Sequence, residues 1–117
     1  MNSTAIMFPI LPDRRAQLFQ FAKALSSERA TEYAAAQQSV VSETWYLQST
    51  PMGEFLIVHF EAPDPAAVFK NMAESSEPFD VWFRRQASEI TGIDLSSPIG
   101  ELPRRLFEYQ KAPAATE

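Results

Sequence analysis

The apolar and polar positions in the first part of the chain predict a strand followed by an amphipathic helix. Residues 5–10 form a short, apolar and β-prone run, in which Pro9 favours a place at the edge of a sheet. Leu18, Phe21 and Leu25 then recur at three- and four-residue steps, with polar residues between them. That spacing gives the helix one face to bury.

The helical pattern continues past this segment. Ser26-Ser27 interrupts it, yet residues 28–38 contain no helix breaker. The chain can therefore kink at the two serines or begin a new helix from a Ser cap. We expect one continuous helix with a kink.

A β-hairpin is predicted in the middle of the chain. Residues 40–48 are rich in β-branched and aromatic side chains, and residues 54–61 have a similar character. The connection over residues 49–53 has the composition of a turn. Because this connection is short, the two strands should pair with each other.

The pattern after the hairpin predicts two consecutive helices. Asp64-Pro65 is a helix start, because Asp can accept from free backbone amides and Pro gives up a donor that has no partner there. A second start at Pro78 leads into an apolar pattern that ends where Gly92 can stop the helix. The two helices should form one helical layer, as a single segment split in two.

The order of the elements predicts a ferredoxin-like fold. Residues 105–109 alternate well enough to supply a last strand, and residues 111–117 should be a flexible tail. A β-α-β-β-α-β chain folds as a four-stranded antiparallel sheet with helices on one face. We therefore expect residues 1–110 to form a single α+β domain of this kind.

The two faces of the predicted sheet indicate a homodimer. The strand over residues 54–61 divides its side chains between opposite sides, with Phe55, Ile57 and His59 on one and Leu56, Val58 and Phe60 on the other. One set can pack under the helices, but a monomer should not expose the other. Packing that second face against the same face of another copy would bury it.

Several segments resemble those of a known superfamily. The most particular are Phe79-Asp80-x-Trp82-Phe83 and Gly92-x-Asp94-Leu95, and the hairpin segments 42–47 and 55–61 and the pair Asp64-Pro65 match as well. In these segments the chain resembles the dimeric α+β-barrel superfamily, and most closely a small group of bacterial proteins of unknown function. The resemblance covers nearly the whole chain before the tail. It implies a ferredoxin-like fold and a dimer, but no particular activity.

The superfamily contains proteins with several different functions. It includes cofactor-free quinol-type monooxygenases, haem-degrading oxygenases, stress-responsive proteins and ligand-binding regulators, and fold alone does not choose among them. Its haem-degrading members use an Asn, a Trp and a haem-ligating His on a helix. Here the only His, His59, lies in a predicted strand, and the first strand ends in Phe8-Pro9-Ile10 without an Asn. The comparison argues against haem degradation, and no cofactor is predicted.

Charge and composition exclude further classes of function. Ten basic and fifteen acidic residues give a net charge of −5, which repels nucleic acids and anionic membrane surfaces. The absence of Cys excludes disulfides and thiolate metal sites, and it suits a reducing compartment. No apolar stretch approaches the roughly 20 residues that a membrane helix needs. We expect a cytoplasmic protein without nucleic-acid or membrane partners.

The candidate site residues lie mainly in the hairpin. His59 is the first candidate for a catalytic base, because imidazole is the side chain that titrates near neutral pH without perturbation. A ligand could meet His59 together with Trp45 or Tyr46, which point to opposite faces because a strand has a period of two. Glu43 and Trp82 complete the predicted ligand-binding set. Each of these residues also has an ordinary structural role as its alternative.

These observations predict a homodimer with an interior cleft that binds a small apolar or aromatic molecule. One alternative is a cofactor-independent monooxygenase-like enzyme with His59 as its base. Another is a structural or protein-interaction dimer without a ligand. A metal site of Glu43, Glu61 and His59 would need a strand register that brings the three together, and no metal is predicted.

Overall fold

Three strands and four helices make up the computed structural model, which describes residues 2–97 and 100–112. The elements follow in the order β1 (Asn2–Pro9), α1 (Arg15–Ser26), α2 (Ala30–Ala36), β2 (Ser42–Thr50), β3 (Gly53–Ala62), α3 (Pro65–Glu74) and α4 (Pro78–Thr91). The fold is therefore α+β, as predicted. Of the predicted tail over residues 111–117, residues 113–117 lie outside the described residues.

The strands form one antiparallel sheet in the order β1-β3-β2. The predicted hairpin is confirmed, since β2 and β3 are joined by Pro51-Met52 and Thr50 pairs with Gly53. Gly53 has a φ of 122°, a conformation that a side chain would strain and that this tight connection requires. β1 pairs only with β3 and lies at the edge of the sheet, as Pro9 predicted.

The hydrophobic core lies between one face of the sheet and the helices. β3 supplies four buried side chains to it, those of Leu56, Val58, Phe60 and Ala62. The helices contribute the buried side chains of Leu18 and Phe21 from α1 and of Ile90 from α4 to the same core. This face of the sheet is called the helix face below, and the other is called the open face.

The helix that was predicted to continue through Ser26-Ser27 is broken there, so the prediction of one kinked helix was wrong. α1 ends at Ser26, and α2 begins after Arg29. The Oγ atom of Ser26 donates to the carbonyl of Ala22 at 3.1 Å, and that of Ser27 donates to the carbonyl of Lys23 at 2.5 Å. These side chains bond to carbonyls of the last turn, and such local bonds compete with helix continuation. The chain restarts, but without the Ser cap that was the alternative.

The split of the second helical segment is confirmed. Asp64 caps α3, since its side chain accepts from the amide of Ala67 at 3.3 Å. Gly92 ends α4 in the left-handed conformation, with a φ of 76°, and a Cβ atom there would lie 3.1 Å from Leu11 Cδ2. None of the helices in the described ranges combines the length and the apolar character needed to cross a membrane.

The fourth strand predicted at residues 105–109 is not formed, and the sheet has three strands. Residues 102–112 have no regular secondary structure, and residues 103–112 are all exposed. Arg105 Nη2 donates to Ser3 Oγ of β1 at 3.3 Å, but no backbone pairing follows. A strand requires a neighbour that takes its backbone hydrogen bonds, and no such neighbour lies beside this segment in the part of the chain that the structure describes. The four-stranded ferredoxin-like sheet therefore has no counterpart in the described residues.

Candidate functional site

A cavity lies between the helix face of the sheet and the helices. Its volume is about 90 Å³. Most of its lining is aliphatic or aromatic and comes from β1, β3, three of the helices and the segment after α4: Phe8, Leu18, Phe21, Leu56, Val58, Phe60, Val68, Phe69, Met72, Phe83, Ala87, Ile90 and Leu95. Polar atoms enter the lining only at a few positions, which makes one corner of the cavity chemically distinct.

The polar corner consists of Tyr33, Glu43 and Trp45. The hydroxyl of Tyr33 donates to Glu43 Oε2 at 2.5 Å, and the indole Nε1 of Trp45 donates to the same oxygen at 2.6 Å. Glu43 and Trp45 share the helix face because they are two residues apart on β2. Tyr33 reaches them from α2, so the break between α1 and α2 is what places the short helix over this corner.

Tyr33 acts here as a hydrogen-bond donor. Burial, followed by the negative charge and the hydrogen bond of Glu43, raises the pKa of Tyr33 far above its ordinary value. The raised pKa favours the protonated phenol, which is the donor in the hydrogen bond to Glu43. Tyr33 orients the carboxylate of Glu43 and is unsuited to the role of a base.

Aromatic rings form the wall next to this corner. The Phe21 ring lies 5.6 Å from Trp45, 5.5 Å from Trp82 and 5.1 Å from Phe83, measured between ring centroids. Trp82 stands behind this wall and does not line the cavity. The guanidinium of Arg29 lies over its indole ring, with Cζ 4.1 Å from the ring centroid. Trp82 therefore supports the site from outside.

A polar mouth adjoins the cavity between α2 and α3. Gln37, Val68 and Met72 line both spaces, and the mouth itself has a volume of about 170 Å³. Asp80 also lines the mouth: its Oδ2 accepts from Ser75 Oγ at 2.5 Å, and its Oδ1 is buried without a hydrogen-bond partner. The mouth thus brings an acidic side chain next to the cavity.

The other two predicted site residues lie on the open face. His59 is exposed and pairs with Ala5 and Thr44, while Tyr46 is exposed opposite Ile57. The opposite orientation of neighbouring residues on β2, predicted from the strand period, is confirmed. The sheet therefore separates His59 and Tyr46 from the cavity, and a substrate of a His59-dependent oxygenase would have to bind on the open face.

The register also bears on the carboxylates considered with His59. Glu43 pairs with Phe60 on the helix face, whereas Glu61 lies on the open face opposite Ser42. Glu43 is therefore on the other side of the sheet from His59. Within residues 2–97 and 100–112, no group of three or more acidic or imidazole side chains could hold a metal ion.

Tyr33, Gln37 and Phe83 belong to the site but were not singled out from the sequence. Tyr33 lies in the apolar pattern of a helix, where an aromatic residue predicts ordinary core packing. Its hydrogen bond to Glu43 depends on how α2 crosses β2, which no spacing along the chain reveals. For Gln37 the sequence contains no signal at all.

Comparison with known proteins provides no identification. No protein-family model matches the chain, and no curated protein or solved structure is significantly similar to it. The functional argument therefore depends on the geometry of the cavity and its mouth.

Proposed function

We propose that the protein binds a small, largely apolar molecule in the cavity between the sheet and the helices. The observation that carries this proposal is an apolar space of about 90 Å³ that has a polar corner around Glu43 and adjoins a polar mouth. Well-packed protein interiors contain few voids larger than a water molecule. A pocket of mostly apolar lining with a few convergent polar groups is the usual form of a small-molecule site.

The lining favours an organic molecule over ordered water. Water in a cavity needs two to four polar partners, whereas apolar cavities stay dry and take up apolar molecules. Here the hydrogen-bonding side chains are those of the corner around Glu43, Gln37 and Thr91. The hydroxyl of Thr91 is already used, since it donates to the carbonyl of Ala87 and accepts from the amide of Ile93. A short aliphatic chain would fill the apolar part and leave its polar end at that corner.

Ala87→Leu should abolish binding by filling the cavity. Ala87 lines the cavity on α4, and leucine keeps the helix propensity while placing an isobutyl group in the space. With n-butanol as the probe, we expect a millimolar dissociation constant for the unchanged protein, which corresponds to about −4 kcal/mol. The measurement is the shift of the Trp45 indole N–H signal by NMR.

Ala35→Leu is the matched control, because Ala35 is an exposed helical alanine of α2. This variant should bind n-butanol as the unchanged protein does. The binding proposal is wrong if neither n-butanol nor n-butylamine moves the Trp45 signal of the folded, unchanged protein at any concentration below the one that unfolds it. It is also wrong if the two variants bind butanol equally well.

We also propose that two copies associate through the open face, as in a dimeric α+β barrel. The open face presents Met7 and Tyr46 as exposed side chains, with the half-buried Phe55 and Ile57 between them. A contiguous apolar surface of this kind is typical of an association site. A second copy offers an identical surface, so a twofold axis would cover both at once.

Met7→Arg should convert this dimer to a monomer. Met7 is 60% exposed on the open face, and a guanidinium there would be buried without a partner in the dimer. Met52→Arg provides the same change at the hairpin turn, where Met52 is 89% exposed, and should leave the dimer intact. Sedimentation velocity distinguishes the two states. An unchanged protein that sediments as a monomer at all micromolar concentrations would contradict the proposal.

A further inference from the structure

The carboxylate of Glu43 keeps one oxygen free at the cavity. The bonds from Tyr33 and Trp45 both end on Oε2, and none of the described residues donates a hydrogen bond to Oε1. Glu43 is the acceptor in both of these bonds. Among the described residues, no Lys, Arg or His lines the cavity. The corner thus presents negative charge to whatever enters.

The mouth has the same electrostatic character. Asp80 places a buried, unpartnered Oδ1 there, and no basic side chain of the described residues lines the mouth. The guanidinium of Arg84 lies nearby and keeps its charge, but its Nη1 donates to the carbonyls of Met72 and Ser75 at 2.6 and 2.7 Å, and among the described residues it forms no ion pair with Asp80. The cavity and the adjoining mouth therefore each contain one carboxylate, that of Glu43 and that of Asp80.

Aromatic rings next to Glu43 favour the same sign of charge in a ligand. Phe21, Trp45 and Phe83 surround the corner, and the faces of aromatic rings attract cations. The cluster already accepts one cation on its outer side, where Arg29 lies over Trp82. An ammonium group inside the cavity would meet a carboxylate and ring faces together.

We propose that the cavity selects small organic cations, namely primary alkylammonium ions, over neutral and anionic molecules of the same shape. This inference rests on the proposed function, because it names the ligand class of the same cavity. The hydrocarbon part occupies the apolar space, and the ammonium group donates to Glu43 Oε1. A charge-assisted hydrogen bond of this kind is stronger than the bond that an alcohol makes.

The test compares n-butylamine, n-butanol and butyrate, which share a carbon chain of similar length and differ in charge at neutral pH. The chain has two Trp residues, so the indole N–H signal of Trp45 reports on the cavity and that of Trp82 serves as an internal reference. We expect butylammonium to bind at least about tenfold more tightly than butanol, and butyrate not to bind. This comparison uses the unchanged protein and does not depend on any variant.

Glu43→Gln should reduce the affinity for butylammonium to that for butanol, because the amide keeps an acceptor for Tyr33 and Trp45 but removes the charge. Glu61→Gln, on the open face, removes the same charge from the opposite side of the sheet and should leave the preference unchanged. If both variants lose the same amount of affinity for butylammonium, the amine responds only to the net charge of the protein, and the inference is overturned.

The outcomes separate this inference from the proposed function. If butanol binds as tightly as butylammonium, the cavity binds small molecules without selecting cations, and only the inference fails. If none of the three probes moves the Trp45 signal of the folded protein, both proposals fail. Preference for butylammonium that disappears in Glu43→Gln alone supports both.

Discussion

Phe21→Ala should lower the free energy of unfolding by about 3–5 kcal/mol, the usual cost of removing a buried phenyl ring from a core. Phe21 is 4% exposed and contacts the rings of Trp45, Trp82 and Phe83. The space left by its ring would merge with the existing cavity, so neighbouring side chains gain little by relaxing into it. Since domains of this size are stable by about 5–15 kcal/mol in total, urea unfolding should detect the loss directly.

Phe19→Ala makes the same change on the same helix and serves as the control. Phe19 is 51% exposed, and the guanidinium of Arg15 lies over its ring, with Cζ 5.4 Å from the ring centroid. We expect Phe19→Ala to lower the free energy of unfolding by at most about 1 kcal/mol, as is usual for exposed cation–π contacts and for surface positions in general. Equal losses for the two variants would show that the aromatic cluster around Phe21 is not the core of the fold.

Glu43→Leu should lower the free energy of unfolding by about 2–5 kcal/mol. The substitution removes the only acceptor of two donors, the Tyr33 hydroxyl and the Trp45 indole, and each unsatisfied buried donor costs about 1–3 kcal/mol. The gain from a leucine next to the apolar cavity offsets part of this cost. Urea unfolding measures the difference, and the Trp45 indole signal shows whether its hydrogen bond is lost.

A double-mutant cycle with Tyr33→Phe tests this assignment of the loss. In the Tyr33→Phe background one of the two donors is already gone. Glu43→Leu should therefore lower the free energy of unfolding by measurably less in that background than in the unchanged protein. Glu43→Gln retains an acceptor and should cost about 1 kcal/mol or less. If Glu43→Leu costs the same in both backgrounds, the hydrogen bond from Tyr33 contributes nothing to stability.

The parts of the fold that could be predicted from the sequence have local causes. The turn over residues 49–53 brings β2 and β3 together through its own composition, and Asp64-Pro65 and Gly92 mark helix ends by their own backbone chemistry. The break after Ser26 is also local, but it depends on serine hydroxyls bonding to carbonyls in preference to continuing the helix. The pattern at residues 105–109 predicted a strand, and alternation alone does not provide the neighbour that a strand needs.

The candidate site was predictable only in part, for a similar reason. The period of a strand places Trp45 and Tyr46 on opposite faces, and this was correct. Which face packs under the helices could not be decided, because both faces of β3 carry apolar side chains. The cavity corner depends on Tyr33 of α2 reaching Glu43 of β2, a contact between elements that no single segment encodes.

The central place of β3 in the sheet has a consequence for the order in which the protein can be assembled. Among the described residues β1 pairs only with β3, so β1 leaves the ribosome before its partner and has none until α1, α2 and β2 have followed it. The hairpin of β2 and β3 can close within its own short turn, whereas β1 must wait for a long loop to close. During synthesis, the apolar residues of β1 remain open to solvent, and therefore to chaperones, for longer than those of β2 or β3.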